Sequence, residues 1–464
     1  MKVRKILPVL LCVCFLMGCA NSVTETETEA NSVQAMKQTT AISAADINYE
    51  VPKDVPKILV NQVGYKPGND KVAVFRGENL PSVFRIINVE TGECAYTGVI
   101  EPGKYNEELQ EYNSYGDFSK FQESGTYYIM ADVIGMSYPF NIAENVYDPV
   151  LHEAFRGYAD YIEKAETYTM CEELAVLLLS FELYRSGYTD DMNIPESGNG
   201  IPDILDLVKK TTERLIYRQN ELTGGVSAGS GMTGENAEAS IHFAAVMSKF
   251  YTSCKIYDKG YAETCLQAAV KAFDYAQPSF DELDGSLVYF AATELYRATG
   301  MAKYASVADA YCVIDNRSSA KGITGYFYGD VTYLSTAFPV DTRVCEILIN
   351  SLRDKVEEIA GNSKEAEYFT CGNKKQDNNE ELLDAMMELL VINYIIANHE
   401  YDMVLQNHLH YFLGRNAQCI TYVKNAGYTR CADGEALTDN SIHNAKLMAL
   451  LTAIGQCEQI VWEY

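Results

Sequence analysis

Basic residues are scarce in this chain. Its 464 residues include 37 Lys and Arg against 64 Asp and Glu, which gives a formal net charge of −27 at pH 7. A surface of this charge repels phosphate backbones and acidic polysaccharides, and it argues against nucleic acid as a partner. Solubility alone explains much of the charge, and an uncharged partner is compatible with it.

Closely spaced cysteine pairs are also missing from the body of the chain. The cysteines after position 19 are scattered, and no two of them form a Cys-x-x-Cys pair. This spacing resembles neither a disulfide framework nor a zinc site, so we predict that most of them are small buried core residues. These cysteines are Cys94, Cys171, Cys254, Cys265, Cys312, Cys345, Cys371, Cys419, Cys431 and Cys457.

Long apolar runs are confined to the N-terminus. Residues 1–5 are basic, residues 6–17 are apolar but too short to span a bilayer, and Gly18 and Cys19 follow directly. This arrangement resembles a bacterial lipobox. We therefore predict that residues 1–19 are a lipoprotein signal peptide and that acyl chains on Cys19 anchor the mature chain to a membrane. An ordinary secretory signal and an uncleaved anchor are the alternatives.

The rest of the chain changes character twice. Residues 20–56 are rich in Thr, Ser, Glu and Ala and cannot bury a core, which predicts a disordered tether. Residues 57–145 hold short β-rich runs between turn residues, a pattern typical of a β-sandwich. In residues 146–464 apolar residues recur at helical spacing, and we predict about eleven helices. Paired helices in that number fit a toroid; an α-solenoid is the alternative, although no fixed repeat period is present.

The most distinctive run is residues 193–206, Asn-Ile-Pro-Glu-Ser-Gly-Asn-Gly-Ile-Pro-Asp-Ile-Leu-Asp. It carries two prolines and two glycines and leads into an apolar helical stripe, with Pro202 suited to the first helical turn. An ordinary loop-to-helix junction does not need so many special residues. The run resembles the signature of glycoside hydrolase family 9, the cellulase-type (α/α)6 barrels.

Further segments resemble the same family in the same order along the chain. Residues 60–65, Val-Asn-Gln-Val-Gly-Tyr, and residues 117–128 resemble the immunoglobulin-like domain that precedes many of its catalytic modules. The resemblance implies an all-β immunoglobulin-like sandwich followed by an all-α (α/α)6 barrel-like toroid, and a descent from β-glucan hydrolases. The helical segments that carry it are residues 218–226, 243–246, 261–269, 291–300, 411–416, 421–423 and 442–445.

The carboxylates that this family uses for catalysis are not found at the expected places. Inverting hydrolysis of a glycosidic bond needs one carboxyl group as acid and a second as base. The resemblance places the base in an Asp-Ala-Gly-Asp motif before the second barrel helix, but residues 158–171 lack the motif and its loop. It places the acid at Thr438, whose hydroxyl cannot protonate a leaving alkoxide. Glu435 and Asp439 are the predicted catalytic substitutes and Glu196 a third candidate, although carboxylates at helix starts commonly serve as caps.

The resemblance also implies where a sugar would be bound. Arg415, Tyr422 and Asn444 stand in segments that match the family, and we expect them to bind substrate. Arg430 is the candidate survivor of a His-His-Arg segment that is otherwise missing. Clefts for β-glucans stack sugars on broad aromatic faces, yet Trp462, at the extreme C-terminus, is the single tryptophan. Its 34 tyrosines could stack sugars, but most are expected to pack in the helical core.

Metal ligands are weakly indicated. Glu196, Asp203 and Asp206 could supply the hard oxygen ligands of calcium, which members of the family often hold near the signature run. Leu207 stands where a further acidic residue usually follows. We therefore assign no metal site, and calcium is the one cofactor that the resemblance leaves open.

The histidines do not suggest a metal site either. His408 and His410 lie two residues apart on a predicted helix, so they face different sides and are poor co-ligands. We predict that both of them, and His443, are core or surface residues.

These features predict a surface lipoprotein of the family 9 type that binds a neutral β-glucan or a related polysaccharide. Because both carboxylate motifs are missing, we expect its catalysis to be impaired. An active β-glucan hydrolase that uses other carboxylates is one alternative. A non-catalytic scaffold or protein-interaction module, which would bind no glycan, is the other.

Overall fold

The computed structural model describes residues 52–107, 109–161, 165–229, 234–315, 317, 322–372, 378–432 and 434–457. The predicted signal peptide with Cys19, nearly all of the predicted tether, and Trp462 lie outside these described residues. Within them, no helix has both the length and the apolar character that a membrane span requires.

The first domain is a sandwich of two β-sheets. Its strands are β1 (Ile58–Leu59), β2 (Gly64–Tyr65), β3 (Val72–Arg76), β4 (Val83–Asn88), β5 (Cys94–Val99), β6 (Glu101–Asn106), β7 (Glu111–Asp117), β8 (Gly125–Ala131), β9 (Gly135–Met136) and β10 (Phe140–Ile142). One sheet has the strand order β1-β3-β7-β6 and the other β2-β10-β8-β4-β5, with β9 paired to β8. The rings of Tyr65, Phe75, Phe84, Phe118 and Phe140 fill the space between the sheets and are at most 1% exposed.

Gly64 is required where β2 and β10 run in parallel. Its φ is +141°, and a Cβ atom built on it would lie 2.0 Å from the carbonyl oxygen of Asn141. Only glycine avoids both the strain and the clash. The close pairing of Gly64 with Asn141 sets the register that turns the Tyr65 ring into the sandwich core.

The second domain is a ring of paired helices. The helices are α1 (Asp148–Tyr161), α2 (Thr167–Leu183), α3 (Asp203–Tyr217), α4 (Ala237–Cys254), α5 (Lys259–Ala276), α6 (Gly285–Thr299), α7 (Ala302–Tyr311), α8 (Gly325–Ser335), α9 (Thr342–Glu365), α10 (Asn379–Ile396), α11 (His399–Phe412) and α12 (Ser441–Cys457). Even-numbered helices form the inner ring and odd-numbered helices pack outside them, with α12 closing the ring against α2 and α10. A short hairpin of β11 (Val226–Ser227) and β12 (Glu235–Asn236) precedes α4.

The burial of each helix follows from its sequence pattern. In α2, twelve of the 17 residues are buried, because the run is apolar on all sides and suits an inner position. In α9, by contrast, the buried Leu348, Leu352, Val356 and Ala360 recur every four residues and form a single stripe. The predicted fold class, a β-sandwich followed by a toroid of paired helices, is confirmed.

Some elements were not expected from the sequence. Helix α8 is rich in glycine, aromatic and β-branched residues and has no polar face, so its periodicity gave no helical signal. Strands β5 and β6 are largely exposed, and the alternation of apolar and polar residues that marks a half-buried strand is absent from them.

A charge-balanced network lies inside the inner ring toward the C-terminal ends of α2, α4 and α6. Lys249 Nζ lies 2.8 Å from Glu182 Oε2 and 3.1 Å from Glu294 Oε1. Arg297 contacts the same two carboxylates at 2.9 and 2.6 Å. Burial raises the pKa of Glu182, but the charges of Arg297 and Lys249 outweigh burial and hold the pKa at about 2. The network fixes the three inner helices relative to one another.

The two domains are joined through the turn between β1 and β2. The Gln62 side chain accepts hydrogen bonds from the backbone N–H groups of Tyr428 and Thr429 at 2.8 and 3.0 Å. Its amide donates to the Cys419 carbonyl at 3.0 Å, and its backbone N–H donates to the Leu413 carbonyl at 2.8 Å. Because these groups are shielded from water, the turn ties the sandwich firmly to the segment before α12.

Candidate functional site

One end of the helical ring gathers the starts of the inner helices. Each inner helix is followed by an outer helix that returns, so the even-numbered helices all begin at one end and the odd-numbered helices end there. We call this end the mouth. Backbone N–H groups without helical partners are concentrated at such helix starts, so those of the inner helices lie at the mouth.

Two adjacent glutamates stand near the start of α2. Glu173 is fully buried, and burial raises its pKa to about 7, with Glu172 adding to the rise and the Ser441 hydroxyl opposing it. The Glu172 side chain is exposed, yet desolvation by the atoms around its carboxyl group raises the pKa of that group, although the charge of Lys446 lowers it. Consecutive acidic residues in an otherwise apolar helix were the one sequence signal for this feature.

Across the mouth, α10 and α12 are linked by an ion pair. Lys446, which is 6% exposed, binds the carboxylate of Asp384, and Asp384 Oδ2 also accepts from the backbone N–H of Ile323 at 3.3 Å. The negative charge of Asp384 raises the pKa of Glu172 further. Burial also lowers the pKa of the neighbouring His443 imidazole. We call Glu172, Asp384, His443 and Lys446 the mouth cluster; the sequence did not indicate it, since its members come from three separate helices.

The position expected for the catalytic acid has a structural role. Thr438 is buried, and its hydroxyl accepts a hydrogen bond from the backbone N–H of Lys424 at 3.1 Å. Asp439 forms an ion pair with the Lys424 side chain and accepts from the backbone N–H of Gly434 at 3.1 Å. Glu435 is exposed. Of the two predicted substitutes, Asp439 is therefore held in an ion pair, and Glu435 extends into solvent.

Glu196 is far from these residues in the fold. It lies in the loop that leads into α3, an outer helix, and outer helices begin at the end of the ring opposite the mouth. Its carboxylate pairs with Lys210 at 2.8 Å. The structure therefore does not bring Glu196 together with Glu435 and Asp439, because the chain reverses direction between α2 and α3.

Three of the four residues expected to bind sugar are buried. Arg415 is fully buried and donates to Asn407 Oδ1 at 2.7 Å and to the Val72 carbonyl at 3.3 Å. Burial lowers its pKa to about 10. Its guanidinium group thus links the helical ring to the sandwich, and a ligand cannot reach it in this conformation. The docking of the two domains, which the sequence does not reveal, explains this placement.

The other residues of that set are divided between core and surface. Tyr422 is buried and stacks on Tyr411, with ring centroids 6.1 Å apart and planes 12° from parallel. Asn444 is fully buried and donates to the Thr438 carbonyl at 3.2 Å. Arg430 is exposed, so it alone among the four is open to a ligand.

The carboxylates of the signature loop organise the loop itself. Asp203 Oδ2 accepts from the Met192 N–H at 2.6 Å and from the Ser197 hydroxyl at 2.7 Å. Asp206 accepts from the Asn199 amide at 3.0 Å. No group of three or more metal-ligating side chains with suitable geometry occurs in the described ranges. The loop is still assigned no metal, and calcium stays the cofactor that the resemblance leaves open.

An aspartate that the sequence did not single out completes the loop. Asp190 accepts from the N–H groups of Gly198 and Gly200 at 2.6 and 2.7 Å. Both glycines have positive φ angles, +88° and +86°, which other residues adopt only with strain. The glycines of the signature run are thus explained by the turn that wraps around Asp190.

The cysteines and the paired histidines are structural. No disulfide joins any two of the nine described cysteines after position 19. Cys171, Cys254, Cys265 and Cys419 are buried and Cys94 is exposed, so the prediction that most of the cysteines are buried is wrong. His408 and His410 are fully buried core residues, which confirms that prediction. Burial lowers the pKa of His408 to about 4. Four of the other cysteines are partly buried, and Cys457 has no described side chain.

Sequence comparisons support the expectation for both domains. Residues 53–135 match the cellulase N-terminal ig-like domain, and residues 209–441 match glycosyl hydrolase family 9. The chain is 26% identical over 470 residues to a cellodextrinase of Butyrivibrio fibrisolvens, covering 80% of this chain and 85% of that protein. It is 25% identical over 364 residues to endoglucanase D of Acetivibrio thermocellus, covering 64% of this chain and about half, 55%, of that longer protein.

Solved structures share the fold. A family 9 glycoside hydrolase of Bacteroides ovatus superposes with a TM-score of 0.74 at 17% identity, covering 86% of this chain and 98% of that one. A metagenome-derived family 9 endoglucanase gives the same TM-score and coverage at 19% identity. Likeness at such low identity concerns the fold alone. Because the family profile covers half of the sequence, the chain belongs to glycosyl hydrolase family 9.

Proposed function

We propose that this chain is a surface-anchored family 9 protein that binds a neutral β-glucan and hydrolyses it slowly or not at all. Family membership and the names of its relatives, a cellodextrinase and an endoglucanase, support a polysaccharide of the cellulose type. The net charge of −27 supports an uncharged polymer over an acidic one.

A single observation carries the catalytic part of the proposal. The residue at the expected acid position, Thr438, has a hydroxyl that accepts from Lys424 N–H, and the adjacent Asp439 is held in an ion pair with the same lysine. A general acid must carry a proton and reach the leaving oxygen. Thr438 lacks an acidic proton, and the Asp439 carboxylate is held by the Lys424 ammonium group and by the backbone N–H of Gly434.

Anchoring is proposed from the N-terminal sequence. Residues 6–17 followed by Gly18 and Cys19 fit lipid attachment at Cys19. Residues 20–56 would then separate the sandwich from the membrane, so that the mouth could meet an external polymer. Expression with a radiolabelled fatty acid tests this part: the label should enter the wild-type chain and be absent from the Cys19→Ser variant. Equal labelling of both chains would refute it.

Binding and hydrolysis are tested on one preparation of the soluble chain from residue 52 onward. Isothermal titration with cellohexaose should give a measurable Kd, and the same mixture should release no reducing ends above the buffer control. An active family 9 endoglucanase serves as the positive control for the substrate. Absence of binding would favour a scaffold, and steady release of reducing ends would refute the proposed impairment.

A second candidate function, an active hydrolase with other carboxylates, is favoured by the mouth cluster. Glu172 and Asp384 approach Lys446 from α2 and α10, so two carboxylates stand at the mouth. If hydrolysis is found, Glu172→Gln and Asp384→Asn should each abolish it, whereas Glu435→Gln should leave it unchanged. Because the Asp384 carboxylate is already paired with Lys446, we favour glucan binding without cleavage over this second function.

A further inference from the structure

A cavity of about 380 Å³ lies in the outer wall of the helical ring, between α7 and α9. The last turns of α6 and α8 and the segment that leads into α9 complete its lining. Because inner helices end and outer helices begin opposite the mouth, the cavity lies toward that opposite end. We call it the side cavity. The lining residues used below are Tyr296, Ala308, Asp309, Tyr333, Pro339 and Asp341.

Hydrogen bonds to the inner helices hold the wall of the side cavity in place. The Tyr296 hydroxyl, on α6, donates to the Pro339 carbonyl at 2.8 Å. The Tyr333 hydroxyl, on α8, accepts from the Asp341 backbone N–H at 3.1 Å. The segment before α9 is therefore tied to two inner helices at the edge of the cavity. A cavity whose wall is fixed in advance lowers the entropy cost of binding a ligand.

The interior of the side cavity is apolar, and its carboxylates are at the surface. Ala308 is 1% exposed, and the rings of Tyr333 and Tyr296 are 4% and 9% exposed. Asp309 and Asp341, by contrast, are exposed residues that line the same cavity. A cavity of this kind suits a ligand that has an apolar body and one polar end.

The charge at the opening specifies the polar end of that ligand. Neither lysine nor arginine is among the described residues that line the cavity. Asp341 caps α9 and pairs with Arg343 at 3.0 Å, but within the described ranges Asp309 has no hydrogen-bond or ion-pair partner. Desolvation by the atoms around the Asp309 carboxyl group and the negative charge of Asp341 both raise the pKa of Asp309. The two carboxylates are thus close enough to repel each other, and a cation between them would be attracted by both.

We propose that the side cavity binds a small aliphatic amine in its protonated form. The alkyl chain packs against Ala308 and the rings of Tyr296 and Tyr333, which removes apolar surface from water. The ammonium group stays at the opening and donates charge-assisted hydrogen bonds to Asp309 and Asp341. This inference goes beyond the proposed function, because it concerns a different ligand and the opposite end of the ring from the mouth.

Three six-carbon compounds that differ in their polar end test the site on the purified wild-type chain. Hexylamine hydrochloride, 1-hexanol and sodium hexanoate are titrated separately at pH 7 by isothermal titration. We expect hexylamine to bind saturably with a Kd on the order of 1 mM, 1-hexanol to bind about 3- to 10-fold more weakly, and hexanoate not to bind. Hexylamine that does not saturate, or that binds no more tightly than 1-hexanol, would overturn the proposal.

Two substitutions locate the ammonium group. Asp309→Asn and Asp341→Asn each remove one negative charge and keep the shape of the side chain, and asparagine at position 341 can still cap α9. Each variant should bind hexylamine about 3- to 10-fold more weakly than wild type, with unchanged binding of 1-hexanol showing that the cavity is intact. Asp132→Asn, which removes a 73% exposed carboxylate on the sandwich, is the matched control and should bind like wild type. Wild-type affinity for hexylamine in both cavity variants would refute the site.

Discussion

The Lys424 side chain pairs with Asp439, and the Lys424 backbone N–H binds the hydroxyl of Thr438. Lys424 thus binds Thr438, the position expected for the catalytic acid, and also Asp439, one of its predicted substitutes. The pair is 51% exposed on the lysine side and 12% on the aspartate side, so solvent screens it in part. Its role is to fix the segment that leads into α12.

We predict that Asp439→Asn leaves any hydrolysis of cello-oligosaccharides unchanged. The loss of a partly exposed ion pair should lower the free energy of unfolding by less than about 1 kcal/mol. Urea unfolding and a reducing-end assay on the same variant check both parts. Lys424→Met removes the pair from the other side and should give the same small destabilisation. Loss of hydrolysis in Asp439→Asn, but not in Lys424→Met, would identify Asp439 as a catalytic carboxylate.

The buried carboxyl group of Glu173 should make stability depend on pH. Burial raises its pKa from 4.5 to about 7, so the native state keeps the proton over a range in which the unfolded chain has lost it. The contribution of this group to the free energy of unfolding is fully present below pH 4.5 and decreases as the pH rises to about 7. The difference between wild type and Glu173→Gln should change by on the order of 3 kcal/mol between pH 4 and 8.

Denaturant unfolding at several pH values measures this difference. Glu213→Gln, on an exposed part of α3, is the matched control and should follow wild type at every pH. A constant difference between wild type and Glu173→Gln across the range would contradict the assignment.

The charge network of the inner ring should be essential for stability. Among the described residues, Arg297→Met leaves Glu182 and Glu294 with Lys249 as their cation, and breaking a buried pair typically costs about 3–5 kcal/mol. Lys303→Met, which removes an exposed pair with Asp274, should cost less than about 1 kcal/mol. Midpoints of urea unfolding compare the two. Similar midpoints would show that the network contributes little.

The link between the domains should depend on Gln62. Gln62→Ala leaves the N–H groups of Tyr428 and Thr429 without their acceptor, at a cost of about 1–3 kcal/mol for buried groups. Calorimetry should show a lower Tm and separate unfolding of sandwich and ring. Gln267→Ala on the exposed face of α5 is the control. An unchanged single transition in Gln62→Ala would mean that other contacts carry the interface.

The sequence was most informative where geometry requires special residues. The run 193–206 and the segment 60–65 carry glycines that the structure needs, at Gly198 and Gly200 around Asp190 and at Gly64 against β10. Because such requirements are local, they are visible in the sequence. Together with the spacing of apolar residues, they were enough to predict the sandwich and the ring of paired helices.

Other features depend on contacts between distant segments. Asp439 meets Lys424 in an irregular segment, Lys446 meets Asp384 from another helix, and Arg415 is buried by the docking of the sandwich. No spacing rule specifies these contacts. From residue type alone, Asp439 was predicted to be a catalytic carboxylate and Arg415 a sugar-binding residue. In the fold, both charged groups make structural contacts instead.

The central claim, binding of a β-glucan without efficient cleavage, is tested most directly by incubating the purified chain with cellohexaose and measuring reducing ends over hours. We predict no release above the buffer control under conditions where titration shows saturable binding. Sustained release that disappears when Glu172, Asp384 or Asp439 is individually changed to its amide would contradict the account.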